Sequence, residues 1–256
     1  MKTLAIANQK GGVGKTTSAI NITASLAAAG KRVLLIDADP QGNTTSGIGI
    51  DKESLSSSLY DIFTETKSIE EIIIDTNIDH LKLIASNIEL IGAELELAGK
   101  EGRENILKQA LEPVIHHYDY IFIDCPPSLS LLTLNALVAA ESLLIPMQCE
   151  YYALEGISML MRTYELIKSS FNPTLEIEGI LLTMYDGRNS LACQVTDELR
   201  KHFGDKVYQT VIPRNITLAE APSHGKPVIY YDIRSKGAQS YLELAKEIIG
   251  NENRTW

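Results

Sequence analysis

Lys10-Gly11-Gly12-Val13-Gly14-Lys15-Thr16-Thr17 stands between a short apolar strand, Thr3 to Asn8, and an apolar helical pattern from Thr16 to Ala29 that Gly30 closes. Three glycines let the backbone turn with its N–H groups facing inward, and the helix behind them adds the favourable end of its dipole for an anion. A nucleoside triphosphate held there would meet the Lys15 ammonium near its β- and γ-phosphates, with the Thr16 hydroxyl as the expected Mg2+ ligand. Residues Gly11, Gly12, Val13, Gly14, Lys15, Thr16 and Thr17 are therefore the expected nucleotide contacts. The strict pattern Gly-x-x-x-x-Gly-Lys-Thr is not met, because Gln9 takes the place of its first glycine. Lys10 is a second lysine that a simple phosphate loop does not need.

Beyond this loop, Lys31-Arg32 leads into the apolar run Val33 to Ile36, which ends at Asp37 and completes a βαβ unit with parallel pairing. Further strand candidates are Leu81 to Ala85, Tyr120 to Ile123, Ser142 to Pro146, Ile177 to Thr183 and Val207 to Val211. Helical patterns separate them: Ile88 to Ala98, Glu104 to His116, Ser130 to Ala140, Leu154 to Ser170, Ser190 to His202 and Gly237 to Ile249. Such alternation predicts an α/β fold, a doubly wound, mostly parallel sheet with helices on both faces, in a single domain over residues 1–256. The stretch 43–80 is less regular. Its serine run Ser54 to Ser58 suits the cap of a short helix, and Ile69 to Ile74 fits a helix or a strand equally.

Composition agrees with a globular chain able to bury a core: 256 residues, 45% hydrophobic but only 6% aromatic, with mean hydropathy near zero. No apolar run approaches the roughly 18 to 20 residues of a membrane span, and no signal-peptide layout opens the chain, so a cytoplasmic protein is expected. Cys125, Cys149 and Cys193 lack CxxC spacing and read as reduced thiols. The adjacent His116 and His117 point in different directions on a helix and complete no ligand set.

In an open α/β sheet, ligands sit beyond the carboxyl ends of the strands, which singles out two acidic clusters. Ile36-Asp37-Ala38-Asp39-Pro40-Gln41-Gly42-Asn43 follows the second strand, and Ile123-Asp124-Cys125-Pro126-Pro127-Ser128 follows the strand at Tyr120. Asp124 suits a carboxylate that orients Mg2+ through its water shell. Capping of the next turn is the plain alternative for these aspartates.

The spacing of Lys10 and Lys15 is that of the deviant Walker A motif, and the chain resembles the ParA/Soj partition ATPases and, more distantly, the MinD cell-division ATPases. Runs that look like Soj-type segments extend over nearly the whole chain: Pro146 to Gly156, Leu182 to Arg188, Val211 to Asn215 and Glu220 to Pro227. The resemblance implies a P-loop NTPase that hydrolyses ATP with Mg2+, slowly without a partner. It implies that Lys10 reaches across an ATP-dependent sandwich homodimer to the partner subunit's phosphates, in the part of an arginine finger. Lys10, Lys15 and Asp39 are then the catalytic residues, with Asp39 positioning or activating water. Thr16, Asp37 and Asp124 become the metal-side residues, and Pro213 and Asn215 the contacts to adenine. A ParB-like protein is the implied partner, and nonspecific double-stranded DNA the implied cargo track, which would place the ATP state on the nucleoid.

The net charge of −10 opposes binding of a polyanion, but the balance is uneven along the chain. From Asp186 to Gly237, eight Lys/Arg stand against six Asp/Glu, so a DNA surface belongs in this quarter. By resemblance Arg188 matches a DNA-contacting position, and Lys226, Arg234 and Lys236 are further candidates. Thr217 stands where many relatives carry arginine, which weakens the inference. The last helical pattern carries Glu243 and Glu247 with Glu252 just beyond, not the basic amphipathic face of a MinD-like membrane tail, so no membrane partner is expected. A positioning ATPase on a membrane or protein scaffold is the alternative reading. An iron-protein-like cluster carrier is a third, which would need a cysteine pair whose spacing this chain lacks.

Overall fold

Strand residues here alternate between two apolar faces, and the two sets of side chains build two cores. The computed structural model describes residues 1–252. Its strands are β1 (Lys2–Ile6), β2 (Val33–Asp37), β3 (Ile73–Asp75), β4 (Leu81–Ile84), β5 (Tyr120–Asp124), β6 (Ser142–Gln148) and β7 (Glu176–Thr183). They form one sheet in the order β3-β4-β2-β5-β1-β6-β7, parallel at every pairing except β3 with β4. Leu4, Ile6, Val33, Leu35 and Phe122 face one core, while Ala5, Leu34, Ile36, Ile121 and Ile123 face the other. With both faces covered, the central strands read as unbroken apolar runs rather than alternating ones.

The first core is closed by α1 (Lys15–Ala28), α10 (Ile216–Glu220), α11 (Val228–Tyr231) and α12 (Lys236–Glu252). The second lies under α3 (Leu59–Phe63), α4 (Ile69–Ile72), α5 (Leu90–Glu96), α6 (Ile106–Leu111), α7 (Leu131–Ala139), α8 (Ala153–Ser170) and α9 (Ser190–Phe203). One further helix, α2 (Asn43–Gly47), sits beyond the end of β2. Each leucine or isoleucine fully buried in these layers is worth about 1.5–3 kcal/mol of transfer free energy. Among the described residues, no helix is long and apolar enough to cross a membrane.

The expected doubly wound sheet is present, with differences that have local causes. Val207 to Val211 is not a strand: it meets β7 at an isolated bridge, Val207 with Ile180, where the Tyr208 N–H donates to the Ile180 carbonyl at 3.0 Å. The N–H groups of Gln209 and Thr210 donate instead to the Glu247 carboxylate of α12, at 2.8 and 2.9 Å. The pattern from Glu104 to His116 is broken into a 3-10 turn, α6 and a second 3-10 turn at Ile115–His117. Pro113, with no N–H to donate, prevents one continuous helix. Ile69 to Ile74 proves to be both of its alternatives in succession, α4 and then the antiparallel edge strand β3. Ser58 caps α3 in a capping box with Asp61, as the serine run suggested.

Candidate nucleotide site

Six parallel strands deliver their carboxyl ends to one edge of the sheet, and the chemistry-bearing residues follow from those ends. β1 runs into the phosphate loop, where Gly12 and Gly14 adopt φ of 73° and 88°, a left-handed conformation open to glycine at little cost. Gly14 is the N-cap of α1 and contributes no side-chain cap. The helix therefore offers its first-turn N–H groups to an anion rather than to its own sequence. Thr183, the last residue of β7, donates its hydroxyl to the Val13 carbonyl at 2.7 Å, and its side chain packs against Gly14. Asn8 donates to the Pro146 carbonyl at 2.8 Å and accepts from the Lys10 N–H at 3.0 Å, so β6 fixes the other end of the loop.

Lys15 is buried, only 7% exposed, with its ammonium 3.3 Å from the Lys10 carbonyl. Burial lowers its pKa, opposed by the negative charge of Asp124. An arriving phosphate would supply the anion that this cation otherwise lacks.

Strand register places the two carboxylates side by side, since Asp37 of β2 pairs with Asp124 of β5, which in turn pairs with Ile6 of β1. Asp124 Oδ2 accepts from the hydroxyls of Thr16, at 2.8 Å, and Thr44, at 2.7 Å. Its Oδ1 is buried with no hydrogen-bond partner. Burial raises Asp124 to about 6 despite the two hydroxyls. Asp37 is pushed up to about 7, chiefly by burial and then by the neighbouring Asp124. Its Oδ2 accepts from the Thr45 N–H and hydroxyl at 2.8 and 2.7 Å, and its Oδ1 from the Asp39 N–H at 3.2 Å.

Asp37 is thus engaged by the turn it shapes, whereas Asp124 keeps an unsatisfied oxygen beside the Thr16 hydroxyl. That orphaned acceptor and hydroxyl form a hard oxygen site suited to Mg2+. Among the described residues, no group of three His, Cys, Asp or Glu side chains could hold a metal.

Asp39 is half-buried and lines a cavity of about 400 Å³ with Gly12, Lys15, Thr16 and Pro127. A second cavity of about 340 Å³ shares Gly14, Thr17 and Met184 with the first and extends to Pro213 and Asn215. Asn215 Oδ1 is buried without a partner there, an acceptor available to an amino group. The loop, both acidic clusters and the Pro213–Asn215 segment therefore converge, although they lie up to two hundred residues apart in the chain.

Lys10 points elsewhere, onto Glu150 at 2.5 Å, with both side chains half exposed. Arg188 is exposed in the turn before α9 and paired with Asp186 at 2.7 Å. Lys226, Arg234 and Lys236 are exposed along the segment that leads into α12, and none makes an ion pair among the described residues. Thr217 lies half-buried in α10. Thr44, Thr45 and Thr183 are supporting residues that the sequence did not disclose, because nothing in a lone threonine after a strand tells which distant carboxylate or carbonyl it meets.

Residues 1–177 match a family model described as an AAA domain. The chain is 57% identical to the sporulation initiation inhibitor protein Soj of Bacillus subtilis (strain 168), over 98% of this chain and 99% of that protein. It is 52% identical to the chromosome partitioning protein ParA of Myxococcus xanthus, over 96% and 87% of the two chains. Among solved structures, cobyrinic acid a,c-diamide synthase from Mycobacterium smegmatis, with bound ATP analog and magnesium, superimposes with a TM-score of 0.85 at 36% identity, covering 97% of this chain and 94% of that one. A P-loop at the head of a doubly wound sheet, two strand-end carboxylates and this degree of identity over nearly the full length lead to one assignment: the chain belongs to the Soj/ParA family of chromosome-partitioning ATPases.

Proposed function

We propose that residues 1–256 work as one ATP-hydrolysing switch for DNA segregation, in which an ATP-bound homodimer holds double-stranded DNA nonspecifically and a ParB-like protein stimulates hydrolysis and release. The observation that carries this reading is the convergence at one sheet edge of an uncapped helix N-terminus, a buried lysine, a half-satisfied buried carboxylate and an adjoining apolar cavity with a free acceptor. The polyphosphate would lie along residues 11–17, with the base against Pro213 and the Asn215 oxygen receiving an amino hydrogen. Thr16 and Asp124 would hold Mg2+, with Asp37 behind them. When bound, the ion offsets charge on the β- and γ-phosphates.

Lys15 adds a cation to the same oxygens, and Asp39, at the mouth of the cavity, orients water for in-line attack. Lys10 completes the charge balance from the partner subunit, so an isolated subunit turns over slowly. Arg188, Lys226, Arg234 and Lys236 are the proposed phosphate contacts to DNA, doubled by the dimer. The protein would work in the cytoplasm, on the nucleoid in its ATP state. Steady-state ATP turnover with Mg2+ tests the site: Lys15→Ala should lower it by at least about a hundredfold. Turnover equal to the wild type would remove Lys15 from this role.

A further inference from the structure

The last residue of β6 and the turn after it are tied to the phosphate loop at two points. Gln148 Nε2 donates to the Gly12 carbonyl at 3.5 Å, and the Lys10 ammonium donates to Glu150 Oε2 at 2.5 Å. The second contact faces solvent, with Lys10 47% and Glu150 52% exposed. The next residues, Tyr151 and Tyr152, stand outside the core with their rings edge to face. Within one subunit, then, the ammonium assigned to a partner's phosphates is already occupied by a carboxylate of its own chain. Reaching phosphates across the interface would draw the ammonium away from this carboxylate.

We propose that Glu150 is a positioning residue for Lys10: it holds the ammonium in the separate subunit and gives it up when a partner subunit presents a triphosphate. This rests on the trans role of Lys10 proposed above. Backbone anchoring makes the exchange a side-chain movement, because the Lys10 N–H is bound to Asn8, whose amide is bound in turn to Pro146. The anions compete unequally. A single solvated carboxylate contributes little, and exposed pairs of this kind shift an equilibrium by roughly two- to fivefold. A triphosphate carries several charges into a closed, drier interface, where each is screened less. With a diphosphate, the terminal charge nearest the partner is gone and Glu150 recovers its lysine. Glu150 thus biases dimerisation toward the triphosphate state without preventing it.

The dimer dissociation constant, measured by sedimentation with AMPPNP and Mg2+, tests the proposal in four proteins: wild type, Glu150→Gln, Lys10→Ala and the double variant. Glu150→Gln should tighten the wild-type dimer about two- to fivefold, and should change nothing in the Lys10→Ala background, where no ammonium remains to be released. An unchanged or weaker Glu150→Gln dimer overturns the proposal. An equal shift in both backgrounds also overturns it, since Glu150 would then act through the turn itself. If Lys10→Ala alone dimerises as tightly as the wild type, the trans role of Lys10 fails first, and the positioning role with it.

Discussion

Asp39 and Asp37 are two residues apart and do different work. Asp37 is sealed under Thr45 at the end of β2, while Asp39 opens onto the cavity that holds Lys15 and Thr16. Removing Asp39 should therefore spare nucleotide binding and stop hydrolysis. Asp39→Ala is expected to accumulate as an ATP-bound dimer on size-exclusion chromatography; a monomer, or turnover at the normal rate, would overturn its assignment. The buried pair Asp37 and Asp124 makes a prediction about pH. Both hold their protons more tightly in the folded chain, at about 7 and about 6, than in the unfolded chain, where aspartate titrates near about 3.9. Between these limits unfolding releases protons, so the ligand-free fold loses stability as pH rises from about 4 to about 7. Thermal melting without nucleotide should show this fall, and Asp124→Asn should make it shallower. Equal slopes in the two proteins would show that the pair does not titrate as the geometry requires.

At the level of elements, the phosphate loop and the strand ends were legible because they obey local rules. Glycines at 11, 12 and 14 demand a turn, and apolar runs ending in Asp37 and Asp124 demand strands whose carboxyl ends meet. What the sequence concealed is held by contacts between distant segments. Val207 to Val211 carries a strand pattern, yet Glu247, some forty residues away, takes two of its N–H groups. Thr183 looks like the end of a strand, and only the fold shows that it pins Val13. The cavity proposed for the base needs β7, α10 and the loop together, so Pro213 and Asn215 could be suggested in the sequence by resemblance but not by pattern. The loop also makes a prediction at this scale. A side-chain carbon added at Gly12 meets nothing within 4 Å in one subunit, although its φ of 73° strains any other residue. Gly12→Val should fold with a lowered melting temperature, bind ATP and fail to dimerise, because the proposed dimer would bring a second subunit into this open space. A Gly12→Val protein that dimerises with ATP would contradict that placement.

For the whole molecule, the central tension is a net charge of −10 on a protein proposed to ride on DNA. The uneven distribution resolves it only if cations from the last quarter of two subunits act together. Arg188 is already neutralised by Asp186, while Lys226, Arg234 and Lys236 have no such partner among the described residues. Contacts of this kind are to phosphate, carry no sequence preference and weaken steeply with salt. A monomer would have too few of them to hold the duplex against the repulsion of its own acidic surface. Binding to nonspecific duplex DNA at low and at high salt, with ATP, ADP or no nucleotide and with Asp39→Ala to hold the ATP state, tests this account most directly. The expected result is binding with ATP alone that high salt abolishes. No binding under any of these conditions would contradict the DNA-riding switch and leave the ATPase standing.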